Sequence, residues 1–160
     1  MDKRDLANRL VKDLGATLTV PDMELDERSH CVLLFDENIV LNMEYDAAGE
    51  RMLLYVYLDE LPRENAEPIL REALAGNLFW HRTKGATLSL EEGTGGIVLI
   101  YPHSLDDLDA AKFETVVENF VQTAENWKKR IAALKEDAGT KGKEPPDSLP
   151  VRPGEPMIYA

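Results

Sequence analysis

The spacing of hydrophobic positions alternates along the chain between a helical and a strand period. Leu6, Leu10 and Leu14 recur every four residues and predict a helix over Asp2–Leu14 with one apolar stripe. Asp2 and Asp5 suit its first turn, where carboxylates meet the positive end of the helix, and Gly15 suits its C-cap. Such a stripe ordinarily docks into its own core, although a narrow stripe near a terminus can leave part of itself open to a partner. Residues 16–29 are mixed. Pro21 argues against a central strand, and Met23 and Leu25, alternating with acidic residues, admit a short edge strand.

From Cys31 the period becomes two. Cys31–Phe35 reads as one strand, Asp36-Glu37-Asn38 as a turn, and Ile39–Tyr45 as a second strand with Ile39, Leu41, Met43 and Tyr45 on one side. After a turn at Asp46–Gly49, Met52–Leu58 is apolar on both faces. Strands joined by such short turns form an antiparallel meander. A strand apolar on both sides needs cover on both sides, and one layer of helices supplies only one. A second surface, a subunit or a ligand, is therefore expected.

Ala66, Ile69, Leu70, Ala73 and Leu74 predict a helix from about Glu64 to Ala75, closed by Gly76. Ala86, Leu88 and Leu90 alternate with Thr87 and Ser89 as a half-buried strand. Glu91–Gly96 is the turn, and Ile97–Tyr101 the returning strand, ended by Pro102. Ser104 is the expected N-cap of the longest element, with Asp106, Asp107 and Asp109 in its first turn. Leu105, Leu108, Phe113, Val116, Val117, Phe120, Ala124, Trp127, Ile131 and Leu134 trace its apolar face. At 1.5 Å per residue it runs about 45 Å. Past Lys135 the pattern stops, and Gly139, Gly142 and prolines 145, 146, 150, 153 and 156 suggest a disordered or extended tail. Pro150-Val-Arg-Pro153 matches PxxP, a pattern that any proline-rich stretch produces readily. The expected fold is thus α+β, a twisted antiparallel sheet in the order α-β-β-β-α-β-β-α. Residues 1–134 form the domain and 135–160 the tail.

Charge narrows the partners. The formal net charge of −12 over 160 residues leaves no basic surface for nucleic acid. A single cysteine cannot form an internal disulfide, no apolar leader opens the chain, and no run is long enough to span a bilayer, so a cytoplasmic protein is expected. His30 and Cys31 are neighbours on a strand and point to opposite faces, so they form no catalytic dyad. The three histidines lack metal-ligand spacing. Helix-start carboxylates account for Asp106, Asp107 and Asp109 without calcium. Glu91–Gly96 precedes a strand, not the helix N-terminus a phosphate cradle needs. No catalytic residue, metal or cofactor is expected.

Four pieces in combination are similar to the class I chaperones of bacterial type III secretion, the Tir-chaperone (CesT-like) family. They are the Leu6/Leu10/Leu14 helix; the strand Cys31-Val-Leu-Leu-Phe-Asp36; Leu70-Arg-Glu-Ala-Leu-Ala-Gly-Asn77 leading to Gly85-Ala-Thr-Leu-Ser-Leu90; and the last helix with Phe120 and Trp127. Small size and strong acidity match as well. The resemblance covers about residues 3–134. It implies a homodimer that holds the N-terminal segment of one secreted effector in extended form, without ATP, and helps present it to the export apparatus or its ATPase. Carried onto this chain, it implies effector binding by Leu6, Leu10 and Leu14 with Leu33 and Phe35 beside them. It implies a dimer contact from Ile69, Leu70, Ala73, Leu74, Ala86, Leu88 and Leu90. The alternative is an interaction or regulatory dimer on the same fold outside secretion, and a thiol enzyme built on Cys31 comes a distant third.

Overall fold

Helix α1 (Lys3–Leu18) opens a computed structural model that describes residues 1–141, and its buried face joins the one hydrophobic core. Strands β1 (His30–Phe35), β2 (Ile39–Asp46) and β3 (Arg51–Glu60) follow, then α2 (Glu67–Gly76), β4 (Thr87–Glu91), β5 (Gly96–Ser104) and α3 (Ala110–Lys141). Short 3-10 turns cover Leu78–Trp80 and Leu105–Asp107. The strands form one five-stranded antiparallel sheet in the order β1-β2-β3-β5-β4, so the meander continues through β3 onto β5 and leaves β1 and β4 as edges.

Strand alternation divides the side chains between two faces. The inner face carries Ile39, Leu41, Met43, Met52, Leu54, Val56, Leu58, Leu88, Ile97 and Leu99, all buried. It meets Ala7, Leu10, Val11 and Leu14 of α1, Ile69 of α2, and Phe113, Val117, Phe120, Ala124, Trp127 and Ile131 of α3 in one core. Helices and inner face share that core. The outer face has no layer upon it among the described residues.

Local chemistry sets the joints. The β1–β2 turn places Asp36 and Glu37 at φ 48° and 57°, the left-handed pair of a type I′ turn, and the Asn38 amide donates to the Phe35 carbonyl at 3.0 Å. Gly76 ends α2 under the indole of Trp127, where a Cβ would overlap the ring. Gly76→Ala is expected to force that ring off its rotamer and cost about 1–3 kcal/mol, read as a lower urea midpoint at unchanged slope.

Several boundaries move from the sequence expectation. Gly15 does not cap α1; it lies buried inside it against Met23, and Thr19, at φ 59°, is the left-handed cap. Met23 and Leu25 form no strand. They are buried in the link, which is held where the Leu25 amide donates to Asn8 Oδ1 at 2.8 Å. Pro102 does not end β5, which pairs on to Ser104. Among the described residues no strand pairs with the β4 side of β5 beyond Ile100, so a residue without an N–H fits there. Ser104 caps the 3-10 turn, and α3 begins later, where Asp109 Oδ1 accepts from the Lys112 amide at 2.8 Å. The domain boundary at 134/135 falls inside α3, which continues to Lys141. The rest of the expected tail, residues 142–160, lies outside the described residues.

Candidate functional site

Among the described residues, most of the exposed large apolar side chains gather in two places. The first is the outer face of the sheet. β1 is apolar at every position after His30, so turning Cys31, Leu33 and Phe35 toward the core forces Val32 and Leu34 outward, where they are 52% and 57% exposed. Val40 on β2 and Tyr57 on β3 are also exposed, and Leu53, Tyr55, Val98 and Ile100 are half-buried beside them. A polar bridge crosses the middle. His30 stacks on Tyr55 at 6.3 Å and its Nε2 meets Asn42 Oδ1 at 3.0 Å, and the Tyr55 hydroxyl donates to Glu44 at 3.3 Å. Desolvation on this face, followed by Glu44, raises the Tyr55 phenol above its ordinary value.

The backbone edge of β1 is open along the same stretch. The His30 carbonyl accepts from the Asp26 amide, and the His30 amide donates to Asp26 Oδ1, both at 2.9 Å. Hydrogen bonds from the His30 and Arg28 amides hold the Asp26 carboxyl below its ordinary value. These groups of His30 point away from β2. Alternation then turns the N–H and C=O of Val32 and Leu34 to the same outer edge, where no described residue pairs with them. The opposite edge is stopped differently: the Asn77 carboxamide takes both the Leu88 amide (2.8 Å) and the Leu88 carbonyl (3.0 Å), standing in for a sixth strand at that point.

The second surface runs from α2 to β4. Leu70, Leu74 and Leu78 lie on one stripe, joined by Phe79, Trp80 and Leu90. Leu74 is 73% and Phe79 71% exposed. Phe79 and Trp80 sit at φ 54° and 56°, a region bulky residues rarely adopt. That strain is held from α3. Trp127 Nε1 donates to the Arg82 carbonyl at 2.9 Å, the Arg82 guanidinium lies 5.0 Å over the indole, and Glu72 pairs with both Arg82 and Arg130.

The Glu72 carboxyl is held below the usual carboxylate value, chiefly by its hydrogen bond from Arg82. A depressed value means the contribution is present at neutral pH and is lost as pH falls through that lowered value. Glu72→Gln is therefore expected to lower stability at neutral pH, with the gap to the unaltered chain closing in acid, as measured by urea melts across pH.

The residues singled out from the sequence fall on both sides of these surfaces. Leu10 and Leu14 are each 3% exposed and belong to the core, so they are no open patch; Leu6 is half-buried. Leu33 and Phe35 face inward against the same core, one residue out of phase with the exposed pair. Ile69, Ala86 and Leu88 are buried within the subunit and support the second surface from below, while Ala73 is half-buried and Leu70, Leu74 and Leu90 are exposed. Leu78, Phe79 and Trp80 have no role in the sequence reading, although an apolar triplet between a helix end and a strand is itself a signal. Cys31 is buried, and burial pushes its thiol up, away from nucleophilic use. Among the described residues no helix is long and apolar enough to cross a membrane.

The sequence matches the Tir chaperone protein (CesT) family over residues 9–128. The chain belongs to that family. It is 30% identical over 134 residues to the transcriptional anti-antiactivator ExsC of Pseudomonas aeruginosa, covering 82% of this chain and 89% of ExsC. The crystal structure of the ExsC–ExsE complex superposes with a TM-score of 0.70 at 28% identity, covering 81% of this chain and 96% of that one. The HopA1–SchA chaperone–effector complex shares the fold at TM-score 0.66 and 20% identity, over 81% of this chain and 98% of that one. The CesT family is a chaperone and binding family.

Proposed function

We propose that this CesT-family chain is a type III secretion chaperone, acting in the bacterial cytoplasm without catalysis as a homodimer. It binds the N-terminal segment of a secreted effector in extended form and keeps it soluble and competent for export. The observation that carries this reading is the outer sheet face, whose apolar row Leu34–Val40–Tyr57–Val98 runs up to the free β1 edge. An extended segment can add main-chain hydrogen bonds there and lay alternate side chains on the apolar row. The net charge of −12 keeps such a surface soluble.

The second surface supplies the twin. Leu70, Leu74, Leu78, Phe79, Trp80 and Leu90 are all exposed apolar side chains on the stretch from α2 to β4, the composition of an isologous contact. Leu74→Asp combined with Trp80→Asp is expected to give a folded monomer by light scattering at micromolar concentration, where the unaltered chain gives a dimer.

Co-expression with the N-terminal segment of a secreted protein tests the main reading. The segment is expected to stay soluble and to elute with two copies of the chain. A segment that precipitates, or elutes alone, contradicts it. The 30% identity to a transcriptional anti-antiactivator favours a second reading, in which the partner is an antiactivator of transcription. Deletion of the gene separates the two: loss of export of one protein supports the first, and altered transcription with export intact supports the second.

A further inference from the structure

We infer that the groove where the loop after α2 meets α3 is a binding site for an acidic segment of a partner protein, one that presents carboxylates on either side of an apolar residue. The inference stands apart from the outer face of the sheet and does not depend on the reading given to that face.

Charge is the first argument. His81, Arg82 and Lys84 of the loop and Asn126, Trp127 and Arg130 of α3 line a groove of about 380 Å³. No carboxylate is in that lining, although the chain carries a formal net charge of −12. Grooves of similar volume elsewhere have acids in their walls: Asp22 and Glu24 after α1, Asp59 and Glu60 at the end of β3, and Asp107 before α3. Glu72 pairs with both Arg82 and Arg130, so one carboxylate answers two guanidinium groups. Lys84 is exposed and forms no ion pair among the described residues. Positive charge is left over at the groove, and a carboxylate from outside is its complement.

Rigidity is the second argument. Trp127 Nε1 holds the Arg82 carbonyl from α3, the Gly85 amide donates to the Trp80 carbonyl at 3.1 Å, and the Ala86 amide donates to the Thr83 carbonyl at 3.1 Å. Thr83 is buried, and Lys84 and Gly85, at φ 51° and 92°, close the loop. Cationic groups carried on a loop already held in place lose less entropy when a partner arrives.

The chemistry of the lining selects the kind of partner. Guanidinium groups match a carboxylate in plane and charge, and Arg82 and Arg130 already take one from their own chain. The Trp127 ring, with the Arg82 guanidinium 5.0 Å from its centre, and the aliphatic stems of the cationic side chains add carbon surface to the same groove. A segment with an apolar residue between acids uses both. A nucleic acid brings a charge at every phosphate, and those beyond the groove meet the repulsion of an acidic surface; a short acidic segment brings few.

Isothermal titration of the full chain at low salt tests this, with the capped synthetic peptide Glu-Glu-Leu-Glu-Glu and its counterpart Gln-Gln-Leu-Gln-Gln as probes. The unaltered chain is expected to bind the acidic peptide, and Lys84→Glu to bind it about tenfold more weakly. Arg9→Glu makes the same charge change at an exposed position of α1 outside the groove and is expected to bind as the unaltered chain does. No binding of the acidic peptide by the unaltered chain overturns the inference, and so does equal binding of the glutamine peptide. Equal weakening by Arg9→Glu overturns it, because total charge and not the groove is then felt. Inorganic phosphate bound more tightly than the peptide overturns it in favour of a simple anion. Binding confined to the variant carrying Leu74→Asp and Trp80→Asp overturns it, because a second copy then fills the groove. The variant carrying Val32→Asp and Leu34→Asp is expected to keep its affinity for the acidic peptide; loss there overturns the inference, because the peptide then sits on the outer face of the sheet.

Discussion

Val32→Asp together with Leu34→Asp is expected to abolish client binding while the melting temperature of the free protein stays within a few degrees. Both side chains lie on the outer face, are more than half exposed, and contribute nothing to the core, so the folded state loses little. Bound client would cover them, and a carboxylate placed in a desolvated contact costs far more than the lost apolar area. Hot-spot residues, the few near the centre of an interface, cost about 2 kcal/mol or more each when truncated, so a pair of them weakens binding by about a thousandfold. The measurement is co-elution of the client segment by gel filtration, with circular dichroism melts as the control. Client binding that survives in a folded double variant moves the site elsewhere.

Leu10→Asp is expected to do the opposite, unfolding the protein instead of silencing it. Leu10 is 3% exposed and sits with Ala7, Val11 and Leu14 in the core that α1 shares with the sheet and α3. Even Leu→Ala at such a site costs about 2–5 kcal/mol, and a buried unpaired carboxylate costs more. Domain stabilities are about 5–15 kcal/mol, so the variant should be largely unfolded or aggregated on expression. Loss of client binding by Leu10→Asp or Leu14→Asp would then reflect loss of fold. A folded Leu10→Asp protein, by near-ultraviolet dichroism and melting, would contradict the packing described for α1.

The pattern of the chain made the element order legible because each element has a strong period and a chemical stop. The two-sided apolar strand Met52–Leu58 also predicts a second face that the helices leave uncovered, and the outer face of the sheet is open among the described residues. Which residues line it was harder to read. Cys31–Phe35 is apolar throughout, and period-two reasoning cannot say which alternate set faces in; Leu33 and Phe35 do, and Val32 and Leu34 do not. The α1 stripe has the spacing of a docking face and of a core face alike, and only its position against α3 and the sheet decides between them. Boundaries shifted where tertiary contacts overrode local signals, as with Gly15 buried inside α1 and Pro102 tolerated on the side of β5 where no described strand pairs. The apolar triplet Leu78–Trp80 is hidden by its setting, since Phe79 and Trp80 take a left-handed backbone beside the Trp127–Arg82 contact.

Site-specific photo-crosslinking tests the central claim most directly, with a photoreactive side chain installed at position 34 on the outer face or at position 112 on the helix side. With a client segment bound, crosslinks are expected from position 34 and none from position 112. Crosslinks from position 112 alone would place the client against the helices and contradict the account.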